Sequence, residues 1–447
     1  PVPTRAEISD IANAVNEGAD CLMLSGETTQ GERPVECVRI LNRIAGRIEQ
    51  EITPGLTEEL RLFRPKAKML RSAAMLAMKL DNSAVLVFTR SGDLAEKLAA
   101  LRPNGAPVFA FTDVKGVQVG HSTIITGEGR LIPKEGPIRT GVTVVLPHTG
   151  NLYRQKIPAA CYVLNGFSKS IGLSQVSELG HLESPIALTS TLNVWNVADS
   201  IVEYLSEQNT GVQSFNPIVL ECNDRFLNDA IGRHVRKQHV DEAIISASNI
   251  NTQEGNIGAG TGMTGFGWKA GIGTSSRICE SLHGDYIVGV LVLCNMGDPR
   301  DLRIDGLQIG RYLMPPGVND ESGGSICFIV ATDAPVTARQ LNRMAKRAHL
   351  GLARAGGVVS HGSGTTALAF SNSSDRPQID DAHLTVLFRG VVESAEEAII
   401  NSLLGSETLA GRDGNVRHSI PTDKLEGLLN IQRNSLEKVL SSDQEPK

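Results

Sequence analysis

Apolar and polar positions follow two different rhythms along this chain, and the change falls near Thr112-Asp113-Val114. In the first stretch, helix-like and strand-like patterns take turns. Thr4-Arg5-Ala6-Glu7 has capping-box spacing and predicts a helix to about Glu17, closed by Gly18. A short apolar strand is predicted from Cys21 to Leu24. Pro34 suits the first turn of a helix whose apolar positions include Val38, Leu41, Ile44 and Ile48. Further predicted elements are a helix over Ala67 to Leu80, a strand over Ala84 to Phe88, a helix over Gly92 to Leu101 and a strand over Pro107 to Phe111. This is the alternation of an α/β arrangement.

After residue 116 the strands come in pairs between helices, which predicts a layered α+β domain. Strands are predicted over Val142 to Leu146, Ala159 to Leu164, Ile287 to Cys294, Ile326 to Thr332 and Ala367 to Phe370. A helix follows Asn196 with Val197, Ile201, Val202 and Leu205 on one face. Thr337-Ala338-Arg339-Gln340 is a second capping box, and its helix is predicted to run to Gly356. Asp380 to Leu404 reads as a long helical stretch. The chain closes on a polar tail over residues 437–447, plainest from Ser441 to Lys447.

Length and composition narrow the function classes. A chain of 447 residues holds two or three domains. A formal net charge of −6 argues against nucleic acid or an acidic membrane as the main partner. The apolar run from Tyr286 to Cys294 is too short to span a bilayer. No basic segment followed by an apolar one opens the sequence, so a signal peptide is not expected and a cytoplasmic location is. The seven cysteines are scattered and odd in number, and no CxxC occurs. They fit small buried hydrophobes in a reducing compartment better than disulfides or zinc. The ten histidines show neither HExxH nor paired ligand spacing, so neither metal nor cofactor is expected.

The candidate chemistry centres on Gly323-Gly324-Ser325, which opens the apolar run of Ile326 to Thr332. A serine at the head of a rigid strand is held in place. If the bond before it breaks, Ser325 gains a free α-amine beside its hydroxyl, so nucleophile and base sit on one residue. Glycines at 323 and 324 permit the strained backbone that such a cut needs. Locally, the same pattern also describes an ordinary loop.

Surrounding motifs carry a resemblance. They include Gly116-Val117-Gln118-Val119-Gly120-His121, Arg139-Thr140-Gly141-Val142-Thr143, Leu146-Pro147-His148-Thr149-Gly150-Asn151-Leu152 and Gly232-Arg233-His234-Val235. The glycine-rich run from Gly258 to Arg277, Ala331-Thr332-Asp333-Ala334-Pro335, Gly362-Ser363-Gly364 and Gly411-Arg412-Asp413-Gly414 follow in order. From Gly116 to about Asn430 the chain resembles the self-processing L-aminopeptidase/D-esterases and β-peptidyl aminopeptidases. The resemblance implies an αββα sandwich over residues 114–436 and a cut between Gly324 and Ser325. It makes Ser325 an N-terminal nucleophile acting on short peptides, amino-acid amides or esters of L-, D- or β-residues. It also implies a homo-oligomer, a tetramer of processed pairs.

The same resemblance assigns supporting roles. Asn295 is placed as an oxyanion donor, although on its own it reads first as a turn residue after the strand. Ser363 is the helper serine. The family often carries an acidic residue two positions later, where this chain has Thr365, which cannot stabilise an ammonium on Ser325. Glu221 is the carboxylate that anchors the substrate ammonium, against a plain strand-end carboxylate. Asn223 is a further candidate for the substrate pocket. Gly260, Gly262 and Gly265 match a dinucleotide fingerprint, but no clear strand precedes them and glycines occupy the place of the helix. They read instead as a glycine-rich pocket wall.

Residues 1–113 resemble a late fragment of pyruvate kinase, on Pro3-Thr4-Arg5-Ala6-Glu7-Ile8-Ser9-Asp10, Met23-Leu24-Ser25-Gly26-Glu27-Thr28 and Leu101-Arg102-Pro103. That enzyme's catalytic lysine and metal-binding carboxylates lie upstream of such a fragment, so kinase activity is not expected. Thr89-Arg90-Ser91-Gly92 joins a strand to a helix N-terminus, where phosphate can bind, but Asp93 opposes it. The alternative to the peptidase is therefore an inactive or phosphate-binding remnant of pyruvate kinase fused to an unprocessed scaffold.

Overall fold

The computed structural model describes residues 110–431 apart from 251, 281–284, 318–323 and 374–377, together with Ile40, Leu41 and Arg43, which are helical. The other readings over residues 1–109, the polar tail, Gly323, Cys21 and Cys37 lie outside the described residues.

Ten strands and five helices build the site. The strands are β1 (Gln118–Thr126), β2 (Ile138–Leu146), β3 (Ile157–Gly166), β4 (His181–Leu182), β5 (Ile186–Ser190), β6 (Ile218–Cys222), β7 (Ile272–Cys279), β8 (Tyr286–Asn295), β9 (Ser325–Thr332) and β10 (Gly364–Ser371). The helices are α1 (Leu173–Leu179), α2 (Val194–Gln208), α3 (Lys237–Ile245), α4 (Ala338–Arg354) and α5 (Leu384–Leu404). One sheet runs in the order β1-β2-β5-β6, the other β4-β3-β10-β9-β8-β7.

Side-chain alternation explains the layering, because successive residues of a strand face opposite ways. In β9, Cys327, Ile329 and Ala331 join a core with Leu291 of β8, Leu368 of β10 and Leu188 and Leu220 of the smaller sheet. Their neighbours Ile326, Phe328 and Val330 pack instead with Leu341 and Met344 of α4 and Leu387 and Val391 of α5. Val142 and Val144 of β2 face Val197 and Ile201 of α2 and Val240 of α3. The order is helices, sheet, sheet, helices. Both faces of β8 and β9 are covered, which is why those strands read as nearly unbroken apolar runs.

The expected mixture of helix and sheet is therefore present, with shifts at the edges. The Thr337 capping box forms: Gln340 N donates to Thr337 Oγ1 at 3.3 Å and Thr337 N donates to Gln340 Oε1 at 2.9 Å. Its helix ends at Arg354 rather than Gly356. The helix expected after Asn196 begins at Val194, and a 3-10 turn over Asp381–His383 precedes α5. Among the described residues no helix is long and apolar enough to cross a membrane.

Candidate active site

Ser325 is the first residue of β9 and lies directly opposite Asn295, the last residue of β8. It is 7% exposed. Two glycines make this position possible. Gly324 has a φ of +128°, and a Cβ there would fall 2.1 Å from the Asn295 carbonyl oxygen. Gly364, at the start of β10, brings its N–H to 3.0 Å from Ser325 Oγ. A side chain at Gly364 would stand 2.7 Å from the Phe167 carbonyl oxygen and 3.2 Å from Ser325 Oγ itself. The backbone donor therefore approaches the hydroxyl because no Cβ intervenes.

Asn295 is fixed at both ends of its carboxamide. Oδ1 accepts from Thr264 N at 2.9 Å, and Nδ2 donates to the Asn223 carbonyl at 3.0 Å. The backbone donor and acceptor settle which end is nitrogen. One hydrogen of Nδ2 remains for a further acceptor. Asn223 turns its exposed side chain back on its own loop, with Oδ1 accepting from Arg225 N at 3.0 Å.

Ser363 and Thr365 are both buried, and their hydroxyls meet at 2.8 Å. Among the described residues no hydrogen bond joins Ser363 to Ser325, and it is Gly364 N that donates to Ser325 Oγ. In the uncut chain Ser325 N belongs to a peptide bond, so no ammonium is present for Ser363 or Thr365 to meet.

Glu221 lies one residue before the end of β6 and is 2% exposed, far from a solvated strand-end carboxylate. Oε1 accepts from Lys169 N at 2.8 Å, and Oε2 accepts from the Thr191 hydroxyl. Behind it, Cys327 Sγ approaches the Glu221 carbonyl at 3.3 Å and Cys222 Sγ at 4.0 Å. All five described cysteines are free and buried.

These residues share one cavity of about 570 Å³, lined by Ser325, Gly324, Asn295, Glu221, Asn223 and Thr191. Thr264 and Gly267 also line it, whereas Gly260, Gly262 and Gly265, expected as the wall, are not among the lining residues; they are packed against Gly255, Arg139 and Ala270 instead. A smaller recess of about 160 Å³ lies on the other side of Gly324, lined by Ser363, Met296, Asp298 and Asp301. Three cations, Lys169, Arg225 and Arg417, complete the large cavity. Lys169 and Arg225 come from two loops and Arg417 from the short strand Val416–Arg417, and no sequence pattern singled them out.

Three further ionisable groups are buried. Lys269 sits in the glycine-rich run with Nζ bonded to the Gly260 carbonyl at 3.1 Å and to that of Ala270. Burial pushes it down to about 7. Burial pushes Asp224 up to about 6, against hydrogen bonds from Thr140 and Asn228. Burial pushes Glu254 up to about 8, helped by the charge of Glu397. Among the described residues no group of His, Cys, Asp and Glu could hold a metal ion.

Known proteins share this arrangement of sheets and helices. The family described as "Peptidase family S58" matches residues 110–417. A beta-peptidyl aminopeptidase of Sphingosinicella xenopeptidilytica is 39% identical over 344 residues, covering 71% of this chain and 85% of that protein. A crystal structure from Pyrococcus horikoshii OT3 has 48% identity and a TM-score of 0.68, covering 71% of this chain and 92% of that one. The L-aminopeptidase D-Ala-esterase/amidase of Ochrobactrum anthropi has 30% identity and a TM-score of 0.66, covering 72% of this chain and 94% of that one. That enzyme is described as a prototype of the serine aminopeptidases and a variant of the Ntn-hydrolase fold. The start of the chain matches differently: the pyruvate kinase barrel domain matches residues 1–38. Pyruvate kinase 2 of Synechocystis sp. is 42% identical over 113 residues, covering 25% of this chain and 19% of that enzyme. With one family matched across more than half of its length and a relative covered almost end to end, the chain belongs to peptidase family S58.

Proposed function

We propose that this chain is a self-cleaving serine aminopeptidase with Ser325 as its nucleophile. The observation that carries the reading is the position of Ser325 Oγ, 3.0 Å from Gly364 N, at the edge of the cavity that also holds Asn295 and Glu221. In processing, Ser325 Oγ attacks the carbonyl carbon of Gly324, and the peptide nitrogen leaves as the α-amine of Ser325. Water then opens the ester, giving one chain that ends at Gly324 and another that starts at Ser325. The positive φ of Gly324 is the kind of strained backbone that favours this step.

In turnover the Ser325 hydroxyl attacks the first amide or ester carbonyl of the substrate. The new α-amine, with an ordinary pKa of ~8, takes the hydroxyl proton and passes it to the leaving group. The remaining Nδ2 hydrogen of Asn295 faces the developing oxyanion, a contribution of about 3 kcal/mol when preorganised. Gly364 N steadies the nucleophile oxygen, and Ser363 assists through the chain beside it. Glu221, held by Lys169 N and the Thr191 hydroxyl, receives the substrate ammonium. Residues 114–436 form the peptidase domain in this reading, and residues 1–113 carry no kinase chemistry.

A second reading is an unprocessed, inactive scaffold. Thr365 favours it, because a hydroxyl stands where related chains often carry a carboxylate, and it is already bonded to Ser363. Intact mass and a denaturing gel decide between them. The proposal expects two fragments divided at Gly324/Ser325, a single chain for Ser325→Ala, and hydrolysis of alanine p-nitroanilide that EDTA does not affect. A single 447-residue chain without turnover establishes the scaffold instead.

A further inference from the structure

We infer that the substrate's N-terminal residue carries its own carboxylate, recognised by Lys169 and Arg225 beside Glu221. The inference rests on Glu221 being the partner of the substrate ammonium. Among the described charged residues lining the large cavity, Lys169, Arg225 and Arg417 are cations and Glu221 is a carboxylate. An ordinary aminopeptidase substrate brings only an ammonium, which Glu221 balances. The charges of Lys169 and Arg225 then repel that ammonium unless the substrate also brings an anion.

The cations are placed for such a role. Lys169 donates its backbone N–H to Glu221, so its side chain starts beside the ammonium site. Its Nζ stands 4.8 Å over the Phe167 ring and is half-buried. Arg225 follows the Asn223 loop that holds the Asn295 carboxamide. Neither side chain has an ion-pair partner among the described residues. Arg417 is 3% exposed, stacked 3.5 Å over the Phe226 ring, with Nε 3.3 Å from Thr264 Oγ1.

The carboxylate belongs to the residue being released, not to the leaving group. The recess on the other side of Gly324 is lined by Asp298, which is paired with Arg300 at 2.7 Å, and by Asp301, which has no ion pair among the described residues and disfavours an anion there. Two isomeric sources share the required chemistry. One is an α-linked aspartyl residue with a side-chain carboxylate. The other is a β-linked aspartyl residue, whose α-carboxylate is free beside the ammonium.

Three near-isosteric probes separate these sources. Isoasparagine presents the side-chain carboxylate, asparagine the free α-carboxylate, and asparagine amide neither. NMR titration of the Ser325→Ala protein reads binding without turnover. The expected result is that one acidic probe binds on the order of 10-fold tighter than asparagine amide. Arg225→Gln and Lys169→Met each bring that ratio down to about 3-fold or less, and added salt weakens it. Which acidic probe wins names the linkage. Asparagine amide binding as tightly as both acidic probes overturns the inference, as does a preference that both substitutions leave intact. A wild-type chain that stays uncut at Gly324/Ser325 would count against the proposed function, while the binding order would still decide this question.

Discussion

Two buried carboxylates, Glu221 and Glu254, each accept one backbone N–H and one threonine hydroxyl. Around Glu221 the donors reach both oxygens, and the group lines a cavity of about 570 Å³. Around Glu254 both donors come from Thr274 and reach a single oxygen, at 2.7 and 2.8 Å. Burial, with the charge of Glu397, holds Glu254 up at about 8, which favours its protonated form at neutral pH. Matching hydrogen bonds thus do not make matching roles. Both are buried, Glu221 at 2% and Glu254 at 7% exposure; what sets Glu221 apart is that it lines the large cavity, where a ligand can meet it.

The largest expected effect falls on the open side. Glu221→Gln keeps the shape but loses the charge, and kcat/KM for free-amine substrates falls about 100-fold. Thermal unfolding of this variant stays close to wild type. A large loss of stability with unchanged kinetics would reverse the contrast drawn above. On the closed side, Glu254→Gln leaves turnover of the same substrates near wild type and changes the pH dependence of stability. The folded-state pKa of Glu254 is raised from 4.5 to about 8. Its stabilising protonation is fully present below the lower value and is lost as pH rises through the upper one. Urea midpoints at pH 5 and pH 8 therefore diverge for wild type by an amount on the order of a few kcal/mol, each unit being worth about 1.4 kcal/mol. For Glu254→Gln that divergence shrinks.

Smaller effects come from the threonines. Thr191→Val removes the hydroxyl donor of Glu221 and raises KM about 5-fold, since the carboxylate loses one of the bonds that aim it. Steady-state kinetics with an unchanged kcat would support this aiming role. Thr274→Val removes the hydroxyl bond to Glu254 and costs about 1 kcal/mol of stability, with no change in KM. A kinetic defect in Thr274→Val would show that the closed carboxylate communicates with the cavity.

Much of the frame was legible because its strands are covered on both faces. Tyr286–Asn295 and Ser325–Thr332 are apolar almost throughout, and the α4 capping box is local chemistry. β7 was not legible. Its sequence Ile-Gly-Thr-Ser-Ser-Arg-Ile-Cys has weak strand character, and Gly273 is there because a Cβ would lie 1.9 Å from the Ala398 carbonyl oxygen. The glycine that lets α5 approach the sheet also hides the strand. β10 was read only over Ala367 to Phe370 because its head is Gly-Thr-Thr, where hydroxyls are buried at Thr365 and Thr366.

The site was legible where short motifs bring residues together, as at Gly324-Ser325 and Gly362-Ser363-Gly364. Asn295 and Glu221 needed the resemblance, because their pairing with Ser325 and Thr191 spans 30 residues each. The pocket cations and the buried Glu254 and Lys269 carried no local signal. A charge in a loop reads as solvated until the fold closes over it.

The order of the larger sheet has a consequence for how the protein would come back together after processing. A cut between Gly324 and Ser325 leaves β4, β3, β8 and β7 on one fragment and β10 and β9 on the other. The second fragment's pair lies in the middle, with strands of the first on each side. Neither piece can complete the sheet alone, and the new terminus stays clamped between β8 and β10. Folding would then be unimolecular before the cut and bimolecular after it. Refolding of the mature protein would be second order, with a midpoint that moves with protein concentration, while the Ser325→Ala chain would refold at a rate independent of concentration.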